Sequence, residues 1–211
     1  MSSDLTRDDA EHLEECIAGG GVAVFPTDTV YGVCCDPRDA SAARRLYELK
    51  GRPAKRSSAV MFFALAPALE MLEDLSEPDR LALQVLLPGP LTLLLSNPTR
   101  RFAAACRSDP GTLGLRVPRL PASLSALESI GRPVMQSSAN LSGAPDARVL
   151  DDVPESLRRG ADLVLDGGEL PGAPSTVIDL RDFDSTRRWH VLREGALPRE
   201  NVSEALAALA S

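Results

Sequence analysis

The chain has 211 residues, which is enough for one sizeable domain and tight for two. Its hydrophobic content of 44% and charged content of 25% are typical of a well-packed globular protein and exclude disorder over most of the length. The net charge of −7 at pH 7 argues against a protein that coats nucleic acid, because that role needs a broad field of Lys and Arg. No apolar run approaches the length of a membrane span, so we expect no membrane partner.

The predicted elements alternate between short apolar strands and helices. Thr6 is expected to cap a first helix that ends at Gly19, and Asp39 a second that ends near Leu49. Further helices are predicted at 66–75, 78–87, 121–130 and 201–210, and strands at 22–25, 58–63, 91–95, 111–117, 134–136, 163–165, 176–180 and 189–192. This alternation indicates an α/β fold, a twisted mixed sheet flanked by helices, in one domain over 1–211. The polar segment 142–154 is expected to be a mobile loop.

The four cysteines, Cys16, Cys34, Cys35 and Cys106, lack zinc-site spacing. We therefore expect reduced thiols and a cytoplasmic protein.

A basic loop reading KGRPAKR follows the second helix and holds Lys50, Arg52, Lys55 and Arg56. Lys50 and Lys55 are the only lysines in the chain. Cations at a helix C-terminus can simply complement the helix dipole, which accounts for Lys50 and Arg52. It accounts poorly for the other two, so we favour a polyphosphate site, with Lys50 and Arg52 partly exposed.

Arg116 lies among apolar neighbours in TLGLRVP, on the opposite strand face from Leu115 and Val117. A guanidinium in that place needs an anionic partner, because an unpaired buried charge costs several kcal/mol. An internal salt bridge and a ligand carboxylate are equally compatible with the sequence.

Two polar turns, PTDTVYG and SSANLSG, follow predicted strands, where open α/β sheets bind their ligands. Thr27, Thr29, Ser137, Ser138 and Asn140 offer short donors and acceptors, although such residues also form ordinary turns. Asp28 could cap a helix, coordinate Mg²⁺ through water, or do neither. With only two histidines, no Ser-His-Asp triad or histidine metal site is evident, and neither a Walker loop nor GxGxxG occurs.

Seven strings occur in a characteristic order: PTDTVYG, KGRP, PGPLT, LRVP, SSANLSG, STVIDL and LREG. Together they resemble the YrdC-like threonylcarbamoyl-AMP synthases, over about residues 20–195. The resemblance implies an α/β fold with a concave, basic cavity. The implied reaction is a nucleotidyl transfer that condenses L-threonine, bicarbonate and ATP to threonylcarbamoyl-AMP and pyrophosphate, for modification of tRNA.

The resemblance also implies roles for individual residues. Threonine or its carbamate would be contacted by Thr29, Arg116, Ser138 and Ser175. ATP would be contacted by Lys50, Arg52, Thr112, Asn140, Arg148 and Arg193, and by Arg56 of the basic loop, with Lys50 and Arg52 also catalytic. Arg116 would bind a carboxylate in bidentate fashion, and Mg²⁺ would be held mainly by the ATP phosphates. Partners would include tRNA or the transferase complex that modifies it.

Two departures from the family pattern keep alternatives open. After KGRP the chain reads KRSSAVMFF, with Met61 near the position where the family commonly has a histidine. The chain also ends soon after LREG, which we interpret as the short, single-domain form. The first alternative is a YciO-like paralogue with a nucleotide pocket and another substrate; the second is a non-enzymatic RNA-binding module.

Overall fold

The computed structural model describes residues 4–51, 57–107 and 109–209. In this part of the chain nine strands form one mixed sheet in the order β7-β1-β2-β6-β3-β5-β4-β8-β9. The strands are β1 (Ala23–Phe25), β2 (Gly32–Cys35), β3 (Ala59–Met61), β4 (Leu91–Ser96), β5 (Thr112–Arg116), β6 (Val134–Ser138), β7 (Leu163–Val164), β8 (Thr176–Asp179) and β9 (His190–Arg193). Three pairs are parallel, β1 with β7, β3 with β5 and β4 with β8, and the other five pairs are antiparallel. The predicted mixed α/β sheet is therefore confirmed.

The helices are α1 (Arg7–Ala18), α2 (Ala40–Leu49), α3 (Leu65–Met71), α4 (Glu77–Leu86), α5 (Ala103–Cys106), α6 (Glu155–Gly160), α7 (Phe183–Thr186) and α8 (Arg199–Ala207). Both predicted caps are present. The Thr6 hydroxyl accepts from the Asp9 amide at 3.2 Å, and the Asp39 carboxylate accepts from the amides of Ser41 and Ala42. These bonds satisfy amides that have no partner inside the helix, which explains why the sequence located both starts correctly.

The sheet has one strongly apolar face and one face that carries polar side chains. On β4, Leu91, Leu93 and Leu95 are at most 1% exposed, while Thr92 between them is only partly buried. Thr92 lies opposite Val177 of β8, which in turn lies opposite Arg193 of β9. Since side chains alternate along a strand, the leucines join the core and the Thr92 row faces the other way.

Several elements differ from the predictions. Strand β2, the sequence GVCC, was not predicted; its four residues are all buried, so it shows no alternation that would reveal a strand. The predicted helix at 121–130 is a 3-10 helix over Ala122–Ser129. In it, the hydroxyls of Ser125 and Ser129 donate to carbonyls three residues earlier, which competes with regular α-helical bonding. The short helices α5, α6 and α7 were not predicted, and 3-10 residues Leu150–Asp152 lie within the segment expected to be a mobile loop.

All four cysteine thiols are free, and burial raises the pKa of Cys106 to about 11. Among the described residues, no helix combines the length and hydropathy that a bilayer crossing requires.

Candidate active site

A cavity of about 390 Å³ opens on the polar face of the sheet. Its lining draws on strands that are distant in sequence: Thr92 from β4, Arg116 from β5, Gln136 and Ser138 from β6, and Arg193 from β9. Lys50, Asn140, Asp146 and Ser175 contribute from the connections. A volume of this size is typical of small-molecule sites in proteins.

Lys50 ends α2 and is only 2% exposed, so the expectation that it would be partly exposed is wrong. Its ammonium donates to the Ser138 carbonyl oxygen and, at 3.2 Å, to the Asn140 side-chain oxygen. The Lys50 carbonyl accepts from the amide of Ser142 at 3.2 Å. The lysine is buried because the SSANLSG turn folds over the end of the helix, a long-range contact that the local sequence does not reveal.

The SSANLSG turn is closed by its own side chains. The Ser138 hydroxyl donates to Asn140 Oδ1 at 2.7 Å, and Asn140 Nδ2 donates to the Ala144 carbonyl at 2.5 Å. Ser138 and Asn140 were predicted to contact different substrates. The structure brings both to the same wall of the cavity, beside Lys50.

Arg116 forms a buried ion pair with Asp28, with 2.8 Å between Nη2 and Oδ1 and 4% exposure of each side chain. Nη2 also donates to the Thr29 hydroxyl at 3.2 Å. Burial lowers the pKa of Arg116 and raises that of Asp28, because both charged forms lose hydration, while each charge favours ionisation of the other. The internal salt bridge left open by the sequence is therefore present, and Asp28 is its acid.

Arg116 nevertheless lines the cavity, and its Nε has no hydrogen-bond partner among the described residues. The ion pair thus holds the guanidinium in place without satisfying all of its donors. Nη2 is committed to Asp28 and Thr29, so a carboxylate cannot use that nitrogen without displacing them.

The far wall of the cavity is built by Ser175, Thr92 and Arg193. The hydroxyls of Ser175 and Thr92 are 2.9 Å apart, and Arg193 Nη2 donates to the Ser175 carbonyl at 2.8 Å. Ser175 and Arg193, predicted from STVIDL and LREG, therefore lie side by side across the cavity from Lys50.

Not all predicted residues line this cavity. Thr29 is completely buried, and its hydroxyl accepts a hydrogen bond from Arg116 without lining the cavity. Thr112 lies on β5, and Arg148 is exposed and pairs with Glu169 at 2.9 Å; neither lines the cavity. The predicted ligands Arg52 and Arg56, with Lys55, lie outside the described residues, so the predicted basic character of the cavity remains a prediction.

Sequence reasoning missed Thr92 and Gln136. Thr92 alternates with buried leucines on β4, so the alternation could have placed it on the face away from the core. The burial pattern of β6 shows no such alternation, and only the register of β6 and β5 with β3 places Gln136 on the face of Arg116. Met61 is fully buried and pairs in register with Arg116, so the two side chains share a face, yet Met61 does not line the cavity.

Within the described ranges, no group of three or more His, Cys, Asp or Glu side chains is arranged to hold a metal ion. In the described lining, Asp146 is the one acidic residue, and the basic residues are Lys50, Arg116 and Arg193. The described lining thus holds three cationic side chains and one carboxylate, and the charge of Arg116 is already paired with that of Asp28.

A family model named Sua5_yciO_yrdC, described as "Telomere recombination", matches residues 15–195. A threonylcarbamoyl-AMP synthase of Pyrococcus abyssi is 32% identical over 90% of this chain and 55% of its own length. The chain therefore spans about half the length of that relative.

Two solved structures are similar to this fold. P. abyssi Sua5 complexed with L-threonine has a TM-score of 0.81 at 29% identity, covering 95% of this chain and 58% of that one. YciO of E. coli has a TM-score of 0.74 at 28% identity, covering 95% of this chain and 96% of that one.

Proposed function

The chain belongs to the Sua5/YciO/YrdC family, and on that premise we propose that it is an L-threonylcarbamoyladenylate synthase. It would condense L-threonine, bicarbonate and ATP to threonylcarbamoyl-AMP and pyrophosphate. Threonylcarbamoyl-AMP would then serve as an intermediate for tRNA modification. The observation that carries this proposal is the polar cavity, in which Lys50, Arg116 and Arg193 converge with the hydroxyls of Ser138 and Ser175. Three cations suit substrates that carry a triphosphate and a carboxylate.

The chemistry needs no covalent enzyme intermediate. Threonine and bicarbonate give the carbamate with loss of water, and a carbamate oxygen then attacks the α-phosphorus of ATP. The bond between that phosphorus and the bridging oxygen breaks, and pyrophosphate leaves. The chain's own residues would position the reactants and stabilise charge on the phosphates, which is how phosphoryl-type transfers are commonly catalysed.

In this proposal Lys50 neutralises phosphate oxygens at the SSANLSG wall, and Arg193 does so at the opposite wall beside Ser175. Mg²⁺ would be carried mainly by the ATP phosphates, because the described lining offers only the carboxylate of Asp146. A single protein carboxylate fits an ion that is bound chiefly through the phosphates of the substrate. The ion would add charge neutralisation at the phosphates.

The test is pyrophosphate release from ATP and Mg²⁺, with L-threonine and bicarbonate omitted in turn. We expect release only when both are present. One pyrophosphate should be released for each threonylcarbamoyl-AMP, which is detected by mass spectrometry. Arg193→Ala should raise the KM for ATP at least about tenfold, because a tenfold change corresponds to loss of one good ionic contact. Arg188→Ala, an exposed control between α7 and β9, should leave KM within about twofold.

Two outcomes would point to the alternatives. Binding of ATP without threonine-dependent pyrophosphate release would favour a YciO-like protein with another substrate, an alternative motivated by the similarity to E. coli YciO and by Met61. Salt-dependent RNA binding without any turnover would favour the RNA-binding module, against which the net charge of −7 argues.

A further inference from the structure

Gln136 is a buried amide on the floor of the cavity. It is 4% exposed and lies in the middle of β6, opposite Cys34 of β2 and Ala59 of β3. A side chain at Gly32 would place its Cβ 3.0 Å from Gln136 Nε2, so the glutamine occupies space that this glycine leaves open. The amide is therefore held by packing and does not move freely in solvent.

Arg116 cannot hold a carboxylate with both of its terminal nitrogens. The two hydrogens of Nη2 are taken by Asp28 at 2.8 Å and Thr29 at 3.2 Å. Nη1 faces Gln136 Oε1 at 3.5 Å, which is longer than an ordinary hydrogen bond and leaves this nitrogen weakly engaged. A carboxylate that approaches Nη1 needs its second donor from another residue.

Gln136 is placed to supply that donor. Its Oε1 faces the guanidinium, which orients the amide group, and Nε2 of the same amide is the one hydrogen-bond donor of this side chain. Arg116 and Gln136 both line the cavity, so a ligand can reach them together.

We propose that Gln136 is a specificity-determining residue that completes a carboxylate-binding fork, with Arg116 Nη1 on one oxygen and Gln136 Nε2 on the other. The ligand class is a small amino acid with a free α-carboxylate. The inference rests on the proposed function, in which that amino acid is L-threonine. The fork selects for the carboxylate because a neutral amide in its place would keep one acceptor oxygen and would set its NH₂ group against the second donor.

The test measures dissociation constants of L-threonine, of L-threoninamide and of ATP with Mg²⁺ by titration calorimetry. For Gln136→Leu we expect the preference for threonine over threoninamide to fall at least about tenfold, as expected for a lost hydrogen bond to a charged group. Gln136→Glu keeps the shape but sets a carboxylate beside Arg116, so threonine should bind at least about tenfold more weakly. ATP affinity should change by no more than about twofold in both variants, because the fork does not touch the phosphates.

The chain offers a matched control in Gln84, an exposed glutamine on α4. Gln84→Glu makes the same chemical change far from the cavity and should alter none of the three constants beyond about twofold. Thermal denaturation of each variant checks folding, and Gln136→Glu keeps the test valid if Gln136→Leu unfolds.

The outcomes separate this inference from the proposed function. If the unmodified protein binds threonine and both variants keep its preference over threoninamide, the assignment of Gln136 is overturned and the proposed function stands. Equal weakening of threonine and threoninamide also overturns it, since a purely structural role would affect both. If the unmodified protein binds neither ligand, the proposed function fails and this inference with it.

Discussion

At the scale of single residues, the cavity contains cations that are fixed by contacts with the protein. Lys50 is bound to the SSANLSG turn and Arg116 to Asp28, and both are at most 3% exposed. Breaking a buried ion pair by removing one partner costs about 3–5 kcal/mol, so the Asp28–Arg116 pair strongly restricts where the guanidinium can go. Pre-positioned charges lose little conformational entropy when an anion binds.

Lys50→Met tests the role of the fixed ammonium at the end of α2. The aliphatic stem is kept, but the Ser138 carbonyl and Asn140 Oδ1 lose a donor, so we expect about 1–3 kcal/mol of destabilisation. Loss of the ammonium should also abolish most ATP-dependent pyrophosphate release. Urea denaturation and the pyrophosphate assay measure the two effects.

Arg44→Met is the control, because it removes one cation from an exposed position on the same helix. It should change neither the urea midpoint nor turnover appreciably. Retention of full turnover in Lys50→Met would place the phosphate site elsewhere.

At the scale of elements, the cavity is a consequence of how strands and turns are packed together. The connection after β9 returns against the start of β8, where the Gly195 amide donates to the Thr176 hydroxyl at 3.0 Å. A Cβ at Gly195 would lie 2.1 Å from the Pro174 carbonyl oxygen and 2.7 Å from the Ser175 carbonyl carbon. This close approach holds the Ser175 wall in position.

Gly195→Ala should therefore force backbone movement at Pro174 and Ser175. We expect destabilisation of about 1–3 kcal/mol, the usual range for overpacking, together with weaker ATP binding because Ser175 accepts from Arg193. Calorimetric melting and ATP titration provide the measurements. Gly131→Ala is the matched control, since a Cβ there meets nothing within 4 Å; if both variants melt alike, the close approach at Gly195 is not a constraint.

At the scale of the whole molecule, one carboxylate joins the second helix to one end of the sheet. Asp162 accepts from both terminal nitrogens of Arg45, at 2.6 and 2.9 Å, and from the Val22 amide at 2.8 Å. The hydrogen bond from Arg45 is the main reason why the pKa of Asp162 is lowered from 3.8. A lowered pKa means that ionised Asp162 favours the folded protein above pH 3.8 and that this contribution is lost as the pH falls through the folded-state pKa.

Asp162→Asn should accordingly be less stable than the unmodified protein at pH 7, and the difference should shrink below about pH 4. The effect will be modest, because the Arg45 and Asp162 side chains are each 43% exposed and solvent screens the pair. Urea midpoints between pH 3 and pH 7 give the comparison. Asp151→Asn, at a carboxylate that is 94% exposed, should show no such trend; a constant difference for Asp162→Asn across this range would contradict the linkage.

Sequence alone determined the mixed α/β architecture, the caps of α1 and α2, most strand positions and the polar turns. These features follow from local chemistry: capping side chains, apolar runs, and the Gly and Pro residues that end elements. The motif order also located Ser138, Asn140, Ser175 and Arg193, which the fold gathers around one cavity. Strand β2 was not predicted, because a fully buried strand shows no alternation of apolar and polar residues.

Only the tertiary structure decided the partners of those residues. Asp28 and Arg116 are 88 positions apart, and Lys50 and Asn140 are 90 apart, so no local pattern could pair them. The same holds for Gln136 and Arg116. Their strands, β6 and β5, both pair with β3, which brings the two side chains to the same face of the sheet. Local sequence sets which groups a strand presents, whereas strand order sets which of them meet, because pairing depends on packing across the whole sheet.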